Sequence, residues 1–124
     1  MCRIVVAADS PILAGLIELH LKEQGYEVSL NHCDEVLQQV VDNNNPPDLV
    51  ILDMTLPNQS ELCARACEHR GIPMIILAAP GMSEHRVKTG ALHFRWVLLK
   101  PFSLETLLRM IHTALDSQQS ASVA

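Results

Sequence analysis

No apolar run in this chain approaches the roughly 18 residues a membrane span needs, which leaves no candidate for a membrane-spanning helix. Basic residues are scarce where a nucleic-acid surface would need them. Residues 1–62 carry Arg3 and Lys22 against ten acids, and residues 63–124 carry seven Lys or Arg against four, for a net charge of −5 over 124 residues. That excess of acid argues against nucleic acid as a direct partner. The four cysteines, Cys2, Cys33, Cys63 and Cys67, contain no CxxC pair, so reduced thiols in a cytoplasmic protein are expected. The opening residues, Met1-Cys2-Arg3-Ile4, lead straight into a strand, and no signal peptide is expected. A nucleophile elbow is missing, which removes the hydrolase reading. A flavin carrier would need a Ser, Thr or Gly-rich loop after the first strand to cradle phosphate. Ala8-Asp9-Ser10-Pro11 instead offers an acid, which repels phosphate unless a cation intervenes.

What the chain does have is a set of apolar runs that end in charge. Leu49-Val50-Ile51-Leu52 closes on Asp53, Ile4-Val5-Val6-Ala7-Ala8 delivers Asp9, and Trp96-Val97-Leu98-Leu99 delivers Lys100. A short run of branched aliphatics closed by a charge reads as a buried strand whose C-terminal end reaches a solvent-facing rim. In parallel α/β sheets that rim is where ligands bind.

Strand and helix patterns alternate five times. Strands are expected at 3–8, 26–30, 48–53, 74–78 and 96–99. The first helix, 11–24, has Ser10 as cap, Pro11 in its first turn and Gly25 as stop. Ile12, Leu13, Leu16, Ile17 and Leu21 form its apolar stripe, with Glu18, Lys22 and Glu23 off it. A second helix covers 34–43, and Asn43-Asn44-Asn45-Pro46-Pro47 turns the chain. Ser60 is the expected cap of a third helix, 61–70, stopped by Gly71. Ser83 to Lys88 is at best a short helix. Ser103 caps the last, whose Leu104, Leu107, Leu108, Ile111 and Leu115 share a face, and the residues from Ser117 onward should fray. Such alternation implies an α/β flavodoxin-like (βα)5 fold, with a five-stranded parallel sheet of order 2-1-3-4-5 and helices on both faces. That order brings Asp9, Asp53 and Lys100 to one crevice.

Along nearly its whole length the chain resembles receiver domains of two-component response regulators. The resemblance rests on Ala8-Asp9-Ser10-Pro11, on Pro46-Pro47-Asp48-Leu49-Val50-Ile51-Leu52-Asp53-Met54-Thr55-Leu56-Pro57, on Ile72-Pro73-Met74-Ile75-Ile76-Leu77, and on Lys100-Pro101-Phe102, where the family has a cis peptide before proline. It implies a receiver domain over 1–117, with 118–124 as a flexible tail or the start of a linker. It implies that Asp53 accepts a phosphoryl group from a histidine kinase or phosphotransfer protein. Asp9, Asp53 and the backbone carbonyl of Thr55 would bind Mg²⁺, and Lys100 would pair with the acceptor and then with the phosphoryl oxygens. Such a domain is at most a catalyst of its own phosphotransfer and dephosphorylation. The family also docks partners and dimerises through its fourth helix, fifth strand and fifth helix. Here residues 85–100 carry no acid, and Arg86, Lys88, Arg95 and Trp96 are the expected partner surface, including that of a homodimer. An ordinary solvated face is the simpler account of the same charges.

The chain also departs from the family. Ala8 stands where a second acid would hold one of the Mg²⁺ waters, a loss that weakens metal sites by about 10–100-fold. Ala78 stands where a Ser or Thr hydroxyl would donate to the phosphoryl oxygens, and Val97 stands at the aromatic switch position. Trp96 is adjacent, but strand alternation sends it to the other face. No glycine follows Pro57 before the third helix. These departures open an alternative: a pseudo-receiver acting as a phosphorylation-independent interaction or dimerisation module. Cys63 and Cys67, at i and i+4, have a metal-compatible spacing but no second pair, so buried apolar roles fit them better.

Overall fold

The computed structural model describes residues 2–8, 10–42, 44–53, 57–78 and 96–123, with the backbone alone at 33, 34, 57–61 and 117–123. In chain order these form β1 (Arg3–Ala7), α1 (Pro11–Glu23), β2 (Glu27–Leu30), α2 (Cys33–Val41), β3 (Leu49–Asp53), α3 (Pro57–Arg70), β4 (Met74–Ala78), β5 (Trp96–Leu99) and α4 (Leu104–Val123). The short helix expected at Ser83–Lys88 lies outside the described residues.

All strand pairs are parallel and the sheet order is β2-β1-β3-β4-β5, as the sequence predicts. Side-chain alternation splits the core in two. Ile4, Val6, Leu49, Ile51, Ile75, Leu77 and Leu98 face Ile17 and Leu21 of α1 and Leu107, Ile111 and Ala114 of α4. The other side packs Val5, Ala7, Val50, Leu52 and Ile76 against Val36 and Val40 of α2 and Cys63 and Cys67 of α3. The central strand β3 is buried at every position, which accounts for its unbroken apolar run.

Local signals fix the helix ends. The Leu13 N–H donates to Ser10 Oγ at 3.3 Å, with Pro11 opening α1. The Thr106 N–H donates to Ser103 Oγ at 3.0 Å, and the His32 N–H donates to Glu35 Oε1 at 3.1 Å. Helices α1 and α3 end alike. Gly25 and Gly71 take φ of 92° and 70°, a region open to glycine. Tyr26 then donates to the Leu21 carbonyl and Ile72 to that of Cys67, while the glycine N–H groups reach Lys22 and Glu68. This paired bonding satisfies carbonyls that a helix end leaves open. The end of α2 is held differently. Arg70 of α3 donates from Nε to the Val40 carbonyl at 3.2 Å and from Nη2 to that of Val41 at 2.8 Å. Arg3 ties the opposite rim, donating its N–H to Asp48 Oδ2 at 2.7 Å and its guanidinium to the Asn45 carbonyl and Gln39 Oε1.

Three sequence expectations change. Helix α3 begins at Pro57 rather than at 61, because proline's fixed φ and missing N–H suit a first helical turn, and Ser60 falls inside the helix. Helix α4 keeps helical backbone to Val123, past the expected end at 117, since no Gly or Pro interrupts Ser117-Gln118-Gln119-Ser120-Ala121-Ser122. The apolar stripe of α1 divides: Ala14, Ile17 and Leu21 are buried, whereas Ile12 and Leu16 are 77% and 50% exposed.

Burial pushes the Cys67 thiol up from 9.0 to about 12. The folded state therefore resists ionisation that the unfolded chain allows. Stability from this group is whole below pH 9 and is lost as pH rises from 9 to about 12, by up to about 4 kcal/mol. Urea denaturation across that range should show the loss, and Cys67→Ala should flatten it. An equally steep fall in the variant would assign the effect elsewhere.

Candidate functional site

Register alone brings the site together. Leu52 lies opposite Ala7, so Ala8 follows level with Asp53; on the other side Asp53 lies opposite Leu77 of β4. Leu77 in turn pairs with Leu98, and Ala78 with Leu99. Lys100 comes one residue later, and its N–H donates to the Ala78 carbonyl at 2.9 Å. Asp53 continues the side of β3 that carries Ile51, and Lys100 continues the side of β5 that carries Leu98. Both Ile51 and Leu98 belong to the core under α1 and α4. Two residues 47 apart in sequence thus point to the same side of the same rim, with the end of β4 between them.

Lys100 Nζ donates to Asp53 Oδ2 at 2.6 Å. The Asp53 side chain is 2% exposed and that of Lys100 23%. The carboxylate is therefore almost wholly removed from water, while the ammonium keeps a path to it. A charge-assisted bond of this kind is about twice as strong as a neutral one. Removing one member of a buried pair is costly because the other charge is left behind. The Lys100–Pro101 peptide is cis, as the resemblance implies.

The structure unites two of the predicted site residues, Asp53 and Lys100. Asp9 and Thr55 lie outside the described residues, as do Arg86, Lys88 and Arg95. Ala8 is half-buried and packs against the α1/α4 core. Ala78 is fully buried at the end of β4, where it brings no hydroxyl. Trp96 and Val97 sit on opposite faces of β5, as alternation requires. Trp96 is half-buried against the α1/α4 core, and Val97 packs with the α2/α3 core. Among the described residues no group of three or more His, Cys, Asp or Glu is gathered as for a metal. Mg²⁺ takes oxygen ligands, commonly one or two carboxylates with waters. Asp53 is one such carboxylate, and Ala8 withholds another. Cys63 and Cys67 are both buried, and the raised thiol of Cys67 suits a packing role.

One contact bearing on the rim is illegible in the sequence: the Lys100 N–H bond to the Ala78 carbonyl. It uses backbone atoms, which no residue type reveals. It fixes the lysine's starting point relative to β4.

The pair has an energetic signature. Lys100→Ala should destabilise the fold by about 3 kcal/mol in urea denaturation, since it strips the ammonium from a buried carboxylate. Adding Asp53→Asn should restore at least about 1 kcal/mol of that loss. Simple additivity of the two changes would show that the groups are not coupled.

Comparison with known proteins agrees with this geometry. The sequence profile of the response regulator receiver domain matches residues 4–112. The response regulator ArlR of Staphylococcus epidermidis is 33% identical over 128 residues, covering 99% of this chain and 57% of that protein. ArlR of Staphylococcus saprophyticus is 30% identical over 121 residues, covering 95% and 54%. The chain thus spans little more than half the length of these relatives. Among solved structures, the chemotaxis protein CheY4 of Vibrio cholerae superposes with a TM-score of 0.75 at 24% identity, covering 93% of this chain and 99% of that one. A response regulator receiver protein of Sinorhizobium medicae gives 0.74 at 16% identity, covering 94% and 96%. These likenesses show the shared fold. With its profile match spanning most of its length, the chain belongs to the response regulator receiver domain family.

Proposed function

We propose that this receiver domain accepts a phosphoryl group on Asp53, from a histidine kinase or phosphotransfer protein of a two-component phosphorelay in the cytoplasm. The observation that carries the reading is the 2.6 Å contact of Lys100 with a buried carboxylate at the sheet's C-terminal rim. In the proposed step an Asp53 oxygen attacks phosphorus. The P–N bond to the donor imidazole breaks, its electron pair stays on the ring nitrogen, and that nitrogen takes up a proton. The product is an acyl phosphate on Asp53. Both partners are anionic, so the approach needs cations. Lys100 stands ready as one, able to shift from the carboxylate to a phosphoryl oxygen without crossing the sheet. Mg²⁺, held by Asp53 with Asp9 and the Thr55 carbonyl, would neutralise the remaining charge. The domain's own chemistry goes no further than this transfer and the later hydrolysis of the acyl phosphate to free carboxylate and inorganic phosphate, and its output passes through protein contacts.

A second reading is favoured by two specific observations: Ala78 is fully buried without a hydroxyl, and Val97 fills the switch position with a small apolar group. A phosphoryl group on Asp53 would then meet Lys100 but no side-chain hydroxyl from Ala78. Transmission to the β5 side would be weak, and the domain would act as a phosphorylation-independent interaction module.

Incubation with a small phosphodonor and magnesium separates the two. The first reading expects a mass gain of one phosphoryl group (about 80 Da), abolished in Asp53→Asn. Amide shifts on adding beryllofluoride and magnesium should then centre on Asp53, Ala78 and Lys100. No mass gain in the wild type, at donor levels that label other receivers, leaves the interaction module as the function.

A further inference from the structure

We draw no further inference here: the strongest candidate, the side-chain cluster of Cys2, Tyr26, His112 and Asp116 where β1 and β2 begin beside α4, gathers no metal-binding group among the described residues, and nothing in the structure shows what it would bind.

Discussion

A carboxylate with 2% of its side chain exposed is buried without large cost only when it is paired or hydrogen-bonded, and here a cation reaches it from 47 residues further along the chain. The rest of the rim is organised by that requirement. Asp53 cannot move, because β3 is buried along its whole length. Lys100 must therefore be brought to it. The β4–β5 register and the bond from the Lys100 N–H to the Ala78 carbonyl set the lysine's backbone one strand away from β3. From there the long side chain spans the remaining gap. Desolvation makes the pair sensitive to the loss of either member, so the fold and the chemistry share one interaction.

The two-sided core supplies the rigidity this arrangement needs. Each strand feeds alternate side chains to opposite helix layers, and a slip of one residue would turn every one of them to the wrong side. Register at the rim is thus enforced from the middle of the sheet. The polar ties at the opposite rim, from Arg3 to Asp48, Asn45 and Gln39, hold β1, the approach to β3 and α2 in the same relation. Arg70 does the same for the end of α2 from the neighbouring helix.

Much of this was legible in the sequence, for physical reasons. Runs such as Leu49-Val50-Ile51-Leu52 have few alternatives to a buried parallel strand, and the charges that end them mark the rim. Gly25 and Gly71 mark helix ends because their positive φ excludes most other residues. Those local rules also set the limits. Pro57 reads equally well as a loop residue or as the first residue of a helix, and only the structure shows α3 starting there. The division of α1 was hidden because Ile12 and Leu16 share both residue type and helical spacing with the buried set. Hydrophobicity records what a residue prefers; which side meets the sheet depends on where α1 lies. Asp9, Thr55 and the basic segment of Arg86, Lys88 and Arg95 fall outside the described residues, so for them the sequence reading stands by itself.

The residues at the rim bear on how easily the pair can be parted. Ala8, Ala78 and Val97 stand where the family commonly has an acid, a hydroxyl and an aromatic ring. Ala8 leaves aliphatic surface on the α1/α4 side of the sheet, where the pair lies, while Ala78 ends β4 without a hydroxyl and Val97 packs on the α2/α3 side. A lower local polarity strengthens the attraction between Lys100 and Asp53, because charges interact more strongly where water is excluded. It also removes the groups that would share the ammonium's work once a phosphoryl oxygen arrived. Under the proposed transfer, the aliphatic neighbour at Ala8 would favour the resting pair, and the missing hydroxyl at Ala78 would leave its successor with less support. In the proposed transfer at Asp53, the deficit would fall to a bound cation. On the proposed reading, that balance separates a phosphorylated switch from a fixed docking module.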